Sequence, residues 1–316
     1  MKNIIITVLM LLLPFWAMAQ GQVTRKPTPN PVKPTHKHSV YGPKNCKECN
    51  RLREQERQRI EEQRRKEQER IAEQQRLEEM RRREDEQRLA EERKRKEEED
   101  AKLAEQKRII DNLVDNMVYV DGGRVMTTDS EEFSRKIYVI LYPYYISRYE
   151  VTQAEWKAVM GSNPSNFKGD NLPVENISWK DCQEFIHKLN IITGKYFRLP
   201  KVVEWEFAAH GGNNNHRYKY SGSDNIDSVA WYKDNSDKKT HSVGLKNPNE
   251  LGLYDMSGNV YEWCQDERGC TIFGKKISHK VYCGGSWACD EGLCVGTWIF
   301  EKSDTSNYSV GLRLAL

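Results

Sequence analysis

The chain has 316 residues with Lys+Arg 50 and Asp+Glu 47, a formal net charge of +3, and 37% hydrophobic residues, too few for a polytopic membrane protein. The basic excess lies in residues 1–50, with 7 basic and 1 acidic residue, whereas residues 111–316 hold 23 and 27. A nucleic-acid-binding domain would carry a basic face, so that partner class is set aside.

Lys2 followed by the apolar run Ile4 to Trp16 and by Ala17-Met18-Ala19 reads as a secretory signal peptide over residues 1–19, cut before Gln20. The run is shorter than the ~20 residues of a membrane span. The reading implies export to the periplasm or cell envelope, without an integral membrane segment after cleavage, in a compartment where disulfides persist.

Residues 20–49 form a linker, with Pro27, Pro29, Pro31, Pro34 and Pro43 among polar residues that cannot bury a core. His36 and His38 form an HxH that reads as solvated. Cys46 and Cys49 form a CxxC with no further zinc ligands beside it, which leaves a local or an interchain disulfide open.

Residues 50–111 are mostly Arg, Lys, Glu and Gln, all strong helix formers. Opposite charges recur one turn apart, as in Glu62 and Lys66. Leu52, Ile60, Ile71, Leu77, Met80, Leu89 and Leu103 are spaced 8, 11, 6, 3, 9 and 14 apart, which is no sustained heptad. The segment predicts a charged helical rod of ~90 Å. A weak coiled coil or self-association through it stays open beside the simpler reading of a solvated spacer.

A single folded domain is expected over residues 112–316, where seven of the eight Trp lie. Met117–Val120 reads as a strand before an Asp-Gly-Gly turn, and Tyr138–Ile146 as a second strand region broken at Pro143. Thr152 and Glu155 spell a capping box. Ser178 caps a helix with Cys182, Phe185, Ile186 and Leu189 on one face. Pro200 is placed as the first residue of a third helix that stops at Gly211-Gly212. Beyond it, a composition rich in Gly, Asn, Ser and Asp predicts long ordered loops with few regular elements.

Several segments together resemble one family: Tyr149-Glu-Val-Thr-Gln-Ala-Glu-Trp156, Pro173-Val-Glu-Asn-Ile-Ser-Trp179, Phe197-Arg-Leu-Pro200 and Glu204-Trp-Glu-Phe-Ala-Ala209. Gly252-Leu-Tyr-Asp-Met-Ser-Gly-Asn-Val-Tyr-Glu-Trp263, Gly284-Gly-Ser-Trp287 and Gly311-Leu-Arg313 continue the match in order. The set resembles the formylglycine-generating enzyme (sulfatase-modifying factor) family. The resemblance implies an α+β fold related to C-type lectins, with little regular secondary structure.

It also implies oxidation of a sulfatase cysteine to formylglycine with copper(I) and oxygen, on a peptide of the Cys-x-Pro-x-Arg kind. Cys289 and Cys294 fall on the two copper-ligand positions, and Ser286 on an active-site serine. Thiolates suit soft copper(I). Two departures stand out: no Arg follows Cys294, and Tyr261 replaces a family Trp. A Cys289–Cys294 disulfide is the competing reading. By the same resemblance, Asp255, Gly258, Val260 and Glu262 would hold a structural calcium, whose preferred ligands are oxygens. The alternative to an enzyme is a non-catalytic, C-type-lectin-like binding or scaffold module on the rod, with residues 288–310 setting the target. For the remaining cysteines, pairing of Cys182 with Cys264 and of Cys270 with Cys283 is the preferred expectation.

Overall fold

The computed structural model describes residues 40–42, 44–128, 136–272, 275–290 and 298–316. The chain divides into two compact units, Met1–Glu92 and Arg93–Leu316. Helix α1, Lys47–Asp115, begins in the first and ends in the second.

In the first unit, α1 is held by pairs one turn apart, such as Glu62–Lys66 at 2.6 Å and Glu79–Arg83 at 2.6 Å. Each exposed pair contributes only a few tenths of a kcal/mol, so their number matters more than any one. Ile60, Ile71, Leu77, Met80 and Leu89 lie exposed along it, in keeping with the absence of a heptad. At its start, Arg53 donates to the carbonyls of Val40 and Gly42, which clasps the preceding turn onto the helix, and Cys49 is buried there.

The second unit takes in the last turns of α1. Ile110 and Leu113 are buried in its core with Trp156, Phe185 and Leu189, so the folded unit starts inside the charged helix and not after it. The side-chain amide of Gln106 donates to the carbonyl of Ala158. Two small antiparallel sheets follow. β1 (Met117–Val120) pairs with β4 (Tyr144–Ser147), and β2 (Gly123–Thr128) with β3 (Lys136–Leu141). The strand region foreseen over 138–146 is thus two strands in two sheets, divided at Tyr142-Pro143 because proline cannot donate to a ladder.

The Thr152–Glu155 capping box and the Ser178 cap form as read, and Asp181 completes a second box at Ser178. Thr152 caps α2 (Gln153–Met160) and Ser178 caps α3 (Trp179–Thr193), whose buried face is Cys182, Phe185, Ile186 and Leu189. Trp156 stacks on Phe185 at 4.9 Å and joins the two helices. Helix α4 (Val202–Ala209) starts later than expected. Lys201 is its N-cap and its backbone N–H is held by Glu204, so Pro200 lies one residue before the cap and two before the first helical residue.

After the four-residue helix α5 (Ile226–Val229) comes the main sheet, in the order β7-β6-β5-β8. Its strands are β5 (Tyr261–Ile272), β6 (Lys275–Cys283), β7 (Ile299–Glu301) and β8 (Val310–Leu312). This long hairpin is more regular structure than the expected loops with few regular elements. Gln265, Asp266, Glu267 and Arg268 occupy the middle of β5, so no hydrophobic alternation announces the strand. β8 lies parallel to β5, with Glu262 opposite Gly311 and Trp263 opposite Leu312. The mixed helix-and-sheet architecture agrees with the expected α+β class.

Candidate functional site

Ser286 and Cys289 lie on the turn that leaves β6. Gly284 (φ +101°) and Gly285 (φ +80°) bend the chain through the left-handed region, where a side chain would be strained. A Cβ on Gly284 would also meet the Trp205 ring at 3.0 Å. The turn is pinned from outside. Trp287 N–H donates to Asn259 O at 2.8 Å, Ser236 Oγ to Trp287 O at 2.8 Å, and Lys233 N–H to Cys289 O at 3.0 Å.

The Cys289 side chain is buried, and three groups surround its sulfur. The Ser286 N–H donates to Sγ at 3.2 Å, Ser286 Oγ lies 3.3 Å away, and the thiol donates to the Tyr261 hydroxyl at 2.9 Å. A backbone N–H and two rotatable hydroxyls can equally support a thiolate, the form that binds metals and attacks electrophiles. Tyr261 was noted in the sequence only as a departure, whereas in the fold it is a direct partner of the thiol. A Trp at that position would offer a ring N–H in place of a hydroxyl. Cys294 and the segment expected to carry an Arg lie outside the described residues.

Beneath this turn is a buried charged network. Arg313 meets both oxygens of Glu262, with Nε at 2.9 and 3.1 Å and Nη2 at 2.7 Å. It also donates to the carbonyls of Ser147 and Tyr254. Trp205 Nε1 donates to Glu262 Oε2 at 2.6 Å. Glu150 accepts from Asn259 Nδ2 at 2.6 Å and from Val260 N–H at 3.0 Å. Burial, with Asp255 and Glu262 nearby, pushes the Glu150 carboxyl well above the usual carboxylate range.

The residues read as calcium ligands separate here. Asp255 is buried and held at φ +57°; its Oδ2 accepts the Gly244 N–H at 2.7 Å, while Oδ1 has no hydrogen-bond partner. An orphaned carboxylate oxygen of this kind fits an oxygen-loving cation, and Gly258 and Val260 carry carbonyls on the same loop. Glu262 does not fit the expectation, because Arg313 and Trp205 occupy its carboxylate. Among the described residues, no group of three or more His, Cys, Asp or Glu side chains is arranged to hold a metal ion.

The expected cysteine pairings are corrected by the sheet register. Cys283 lies opposite Glu262 at one end of the β5–β6 hairpin, and Cys270 opposite Ile277 near the other. Cys264 faces Cys283, not Cys182, with the sulfurs 3.8 Å apart. Trp179, at the start of the helix that carries Cys182, instead holds the Cys264 carbonyl through its ring N–H.

Beside the turn, Trp287 meets Phe167 edge-on at 5.6 Å and Tyr308 at 5.9 Å, and Tyr308 is half exposed. Phe167 also lines a cleft of about 350 Å³ with Lys168, Leu172, Lys239, Thr240 and His241.

The family described as "Sulfatase-modifying factor enzyme 1-like domain" matches residues 101–316. The chain is 36% identical over 235 residues to the chaperone protein LppX of Paenibacillus barcinonensis, covering 58% of this chain and 79% of that protein. It is 27% identical over 200 residues to the formylglycine-generating enzyme of Streptomyces coelicolor, covering 55% of this chain and 60% of that enzyme. Among solved structures, Treponema denticola variable protein 1 superposes with a TM-score of 0.57 at 31% identity, covering 63% of this chain and 94% of that one. Formylglycine-generating enzymes act on sulfatase peptides. No helix among the described residues is long and apolar enough to cross a membrane. With its ordered motifs, its α+β architecture and a family match over most of its length, the chain belongs to the formylglycine-generating enzyme, or sulfatase-modifying factor, family.

Proposed function

We propose that the protein is an exported formylglycine-generating-type oxidase whose reactive centre is Cys289. The observation that supports this is the buried Cys289 sulfur surrounded by the Ser286 N–H, the Ser286 hydroxyl and the Tyr261 hydroxyl. In this reading Cys289 and Cys294 hold copper(I), which supplies oxygen activation beside a substrate thiol. Ser286 and Tyr261 orient the Cys289 sulfur and support its thiolate form, while the pinned turn keeps that geometry fixed before substrate arrives. The substrate class is a peptide carrying Cys-x-Pro-x-Arg. Export rests on residues 1–19.

The test is anaerobic copper(I) titration of the full chain against a chromophoric competitor, followed by peptide and oxygen with aldehyde capture by a hydrazide. One copper per chain, lost in both Cys289→Ala and Cys294→Ala, together with aldehyde formation, supports the oxidase. No copper retention and no aldehyde overturn it.

Calcium is proposed at Asp255, with carbonyls of Gly258 and Val260, on the strength of the partnerless Asp255 Oδ1. A higher melting temperature in calcium than in chelator, absent in Asp255→Asn, is the expected result.

A second reading is favoured by the Trp287–Tyr308–Phe167 surface and by the likeness to a protein named a chaperone. There the domain is a non-catalytic binding module that contacts its protein ligand through residues 288–310. Tyr308→Ala would then abolish ligand capture while Cys289→Ala would not. The rod is proposed as a solvated spacer. Sedimentation that depends on protein concentration, and is lost on removal of residues 50–92, would assign it to self-association instead.

A further inference from the structure

Two thiols outside the Cys289 centre meet inside the second unit. Cys264 on β5 and Cys283 at the end of β6 are both buried, in a cluster with Trp205, Met256 and Val281. Glu262 lies opposite Cys283, and Trp263 opposite Tyr282, so Cys264 is the diagonal neighbour of Cys283 on the same face of the sheet. Immediately beyond, the register shifts between Trp263 and Glu267, and a bulge of this kind bends a strand and re-aims its side chains. The sulfurs stand 3.8 Å apart, in thiol-to-thiol contact.

We propose that Cys264 and Cys283 form a disulfide in the mature protein. One thiolate attacks a disulfide-bearing oxidant and releases one thiol; the second then attacks the mixed disulfide and releases the other. Two cysteine thiols are oxidised, one oxidant disulfide is reduced to two thiols, and the two cysteine protons pass to those leaving groups. Since both sulfurs are buried in the finished fold, exchange takes place during folding, before β6 closes on β5.

The placement gives the bond a consequence for the site. β6 runs from Cys283 directly into Gly284-Gly285-Ser286, and the Ser286 N–H touches the Cys289 sulfur. A link at Cys283 anchors the base of that turn to the neighbouring strand. It also removes two thiols that would compete with Cys289 for soft metals and electrophiles. The inference is independent of copper, so its failure and that of the oxidase reading are told apart by different measurements.

The experiment refolds the reduced full chain in a buffer of glutathione and glutathione disulfide, quenches with N-ethylmaleimide, and maps the peptides by mass spectrometry. Trypsin with chymotrypsin is used, because cleavage at Trp287 separates Cys283 from Cys289. A Cys264–Cys283 linked peptide is expected. Closing a loop of this size stabilises by constraining the unfolded chain, so reductant should lower the melting temperature by about 5–10 °C. That drop should vanish in Cys264→Ala/Cys283→Ala. Maleimide on both cysteines, or linkage of either to Cys182, Cys270, Cys289 or Cys294, overturns the proposal. The wild-type map decides even where the double variant does not fold.

Discussion

Arg313, directly after β8, and Glu262, on β5, form a two-pronged ion pair in which both side chains are 0% exposed. The pair ties the final Gly-Leu-Arg segment to the Asn-Val-Tyr-Glu-Trp segment, and β8 pairs parallel with β5 beside it. Burial works against the Arg313 charge, and Glu262, Glu150 and Asp255 outweigh it, so the guanidinium pKa is raised.

Arg313→Met should therefore destabilise the domain by about 3–5 kcal/mol, because it leaves the Glu262 charge buried without its cation. Urea unfolding monitored by Trp fluorescence measures it. Arg313→Met/Glu262→Leu should regain much of the loss, since the cost lies in the uncompensated charge. Equal stability of the single variant and wild type would contradict this account.

Glu175 sets a pH dependence. Its Oε1 accepts the Phe167 N–H at 2.8 Å and its Oε2 has no partner. Burial raises its pKa from 4.5 to about 7. The folded state thus holds a proton that the unfolded state releases near 4.5. The stabilising contribution is complete below that value and is lost as pH rises through about 7. Melting temperatures from pH 4 to 8 should decline less in Glu175→Gln than in wild type. An unchanged slope would refute the assignment.

Tyr261→Phe removes one of the hydroxyls at the Cys289 sulfur. The hydroxyl lies 2.9 Å from the sulfur, so its removal should alter alkylation of Cys289 by iodoacetamide severalfold, because the thiolate is the reacting form. Peptide mapping of the reduced protein reads the rate at that residue. An unaltered rate would mean that the tyrosine packs beside the sulfur without supporting it.

Gly258 is held at φ +83°, and a Cβ there would stand 2.3 Å from the Trp231 carbonyl oxygen. The two segments run as a parallel bridge, with Asn259 N–H donating to that same oxygen at 2.8 Å. Gly258→Ala should cost upwards of about 2 kcal/mol, since backbone strain and the clash act together. Chemical denaturation measures this, and a near-neutral result would show that the turn relaxes.

The residues that announce themselves in the sequence are those whose partners lie close along the chain. Thr152 and Glu155 need only a helix turn to meet, so that box is legible from spacing alone, as is the Ser178 cap. The apolar face of α3 follows from helical periodicity in the same way. β5 was illegible because its polar middle carries no alternation, and the start of the folded unit was hidden because Ile110 and Leu113 sit at the end of a charged run.

The ordered motifs and local hydrogen bonds were enough to establish the family, the helices and the α+β class. Only the tertiary structure decided that Glu262 belongs to Arg313, that Cys264 faces Cys283, and that the hydroxyl of Tyr261 lies against Cys289. Each of these contacts joins segments 19 to 51 residues apart. Such contacts depend on strand register and on how a turn is pinned, and a linear spacing carries neither.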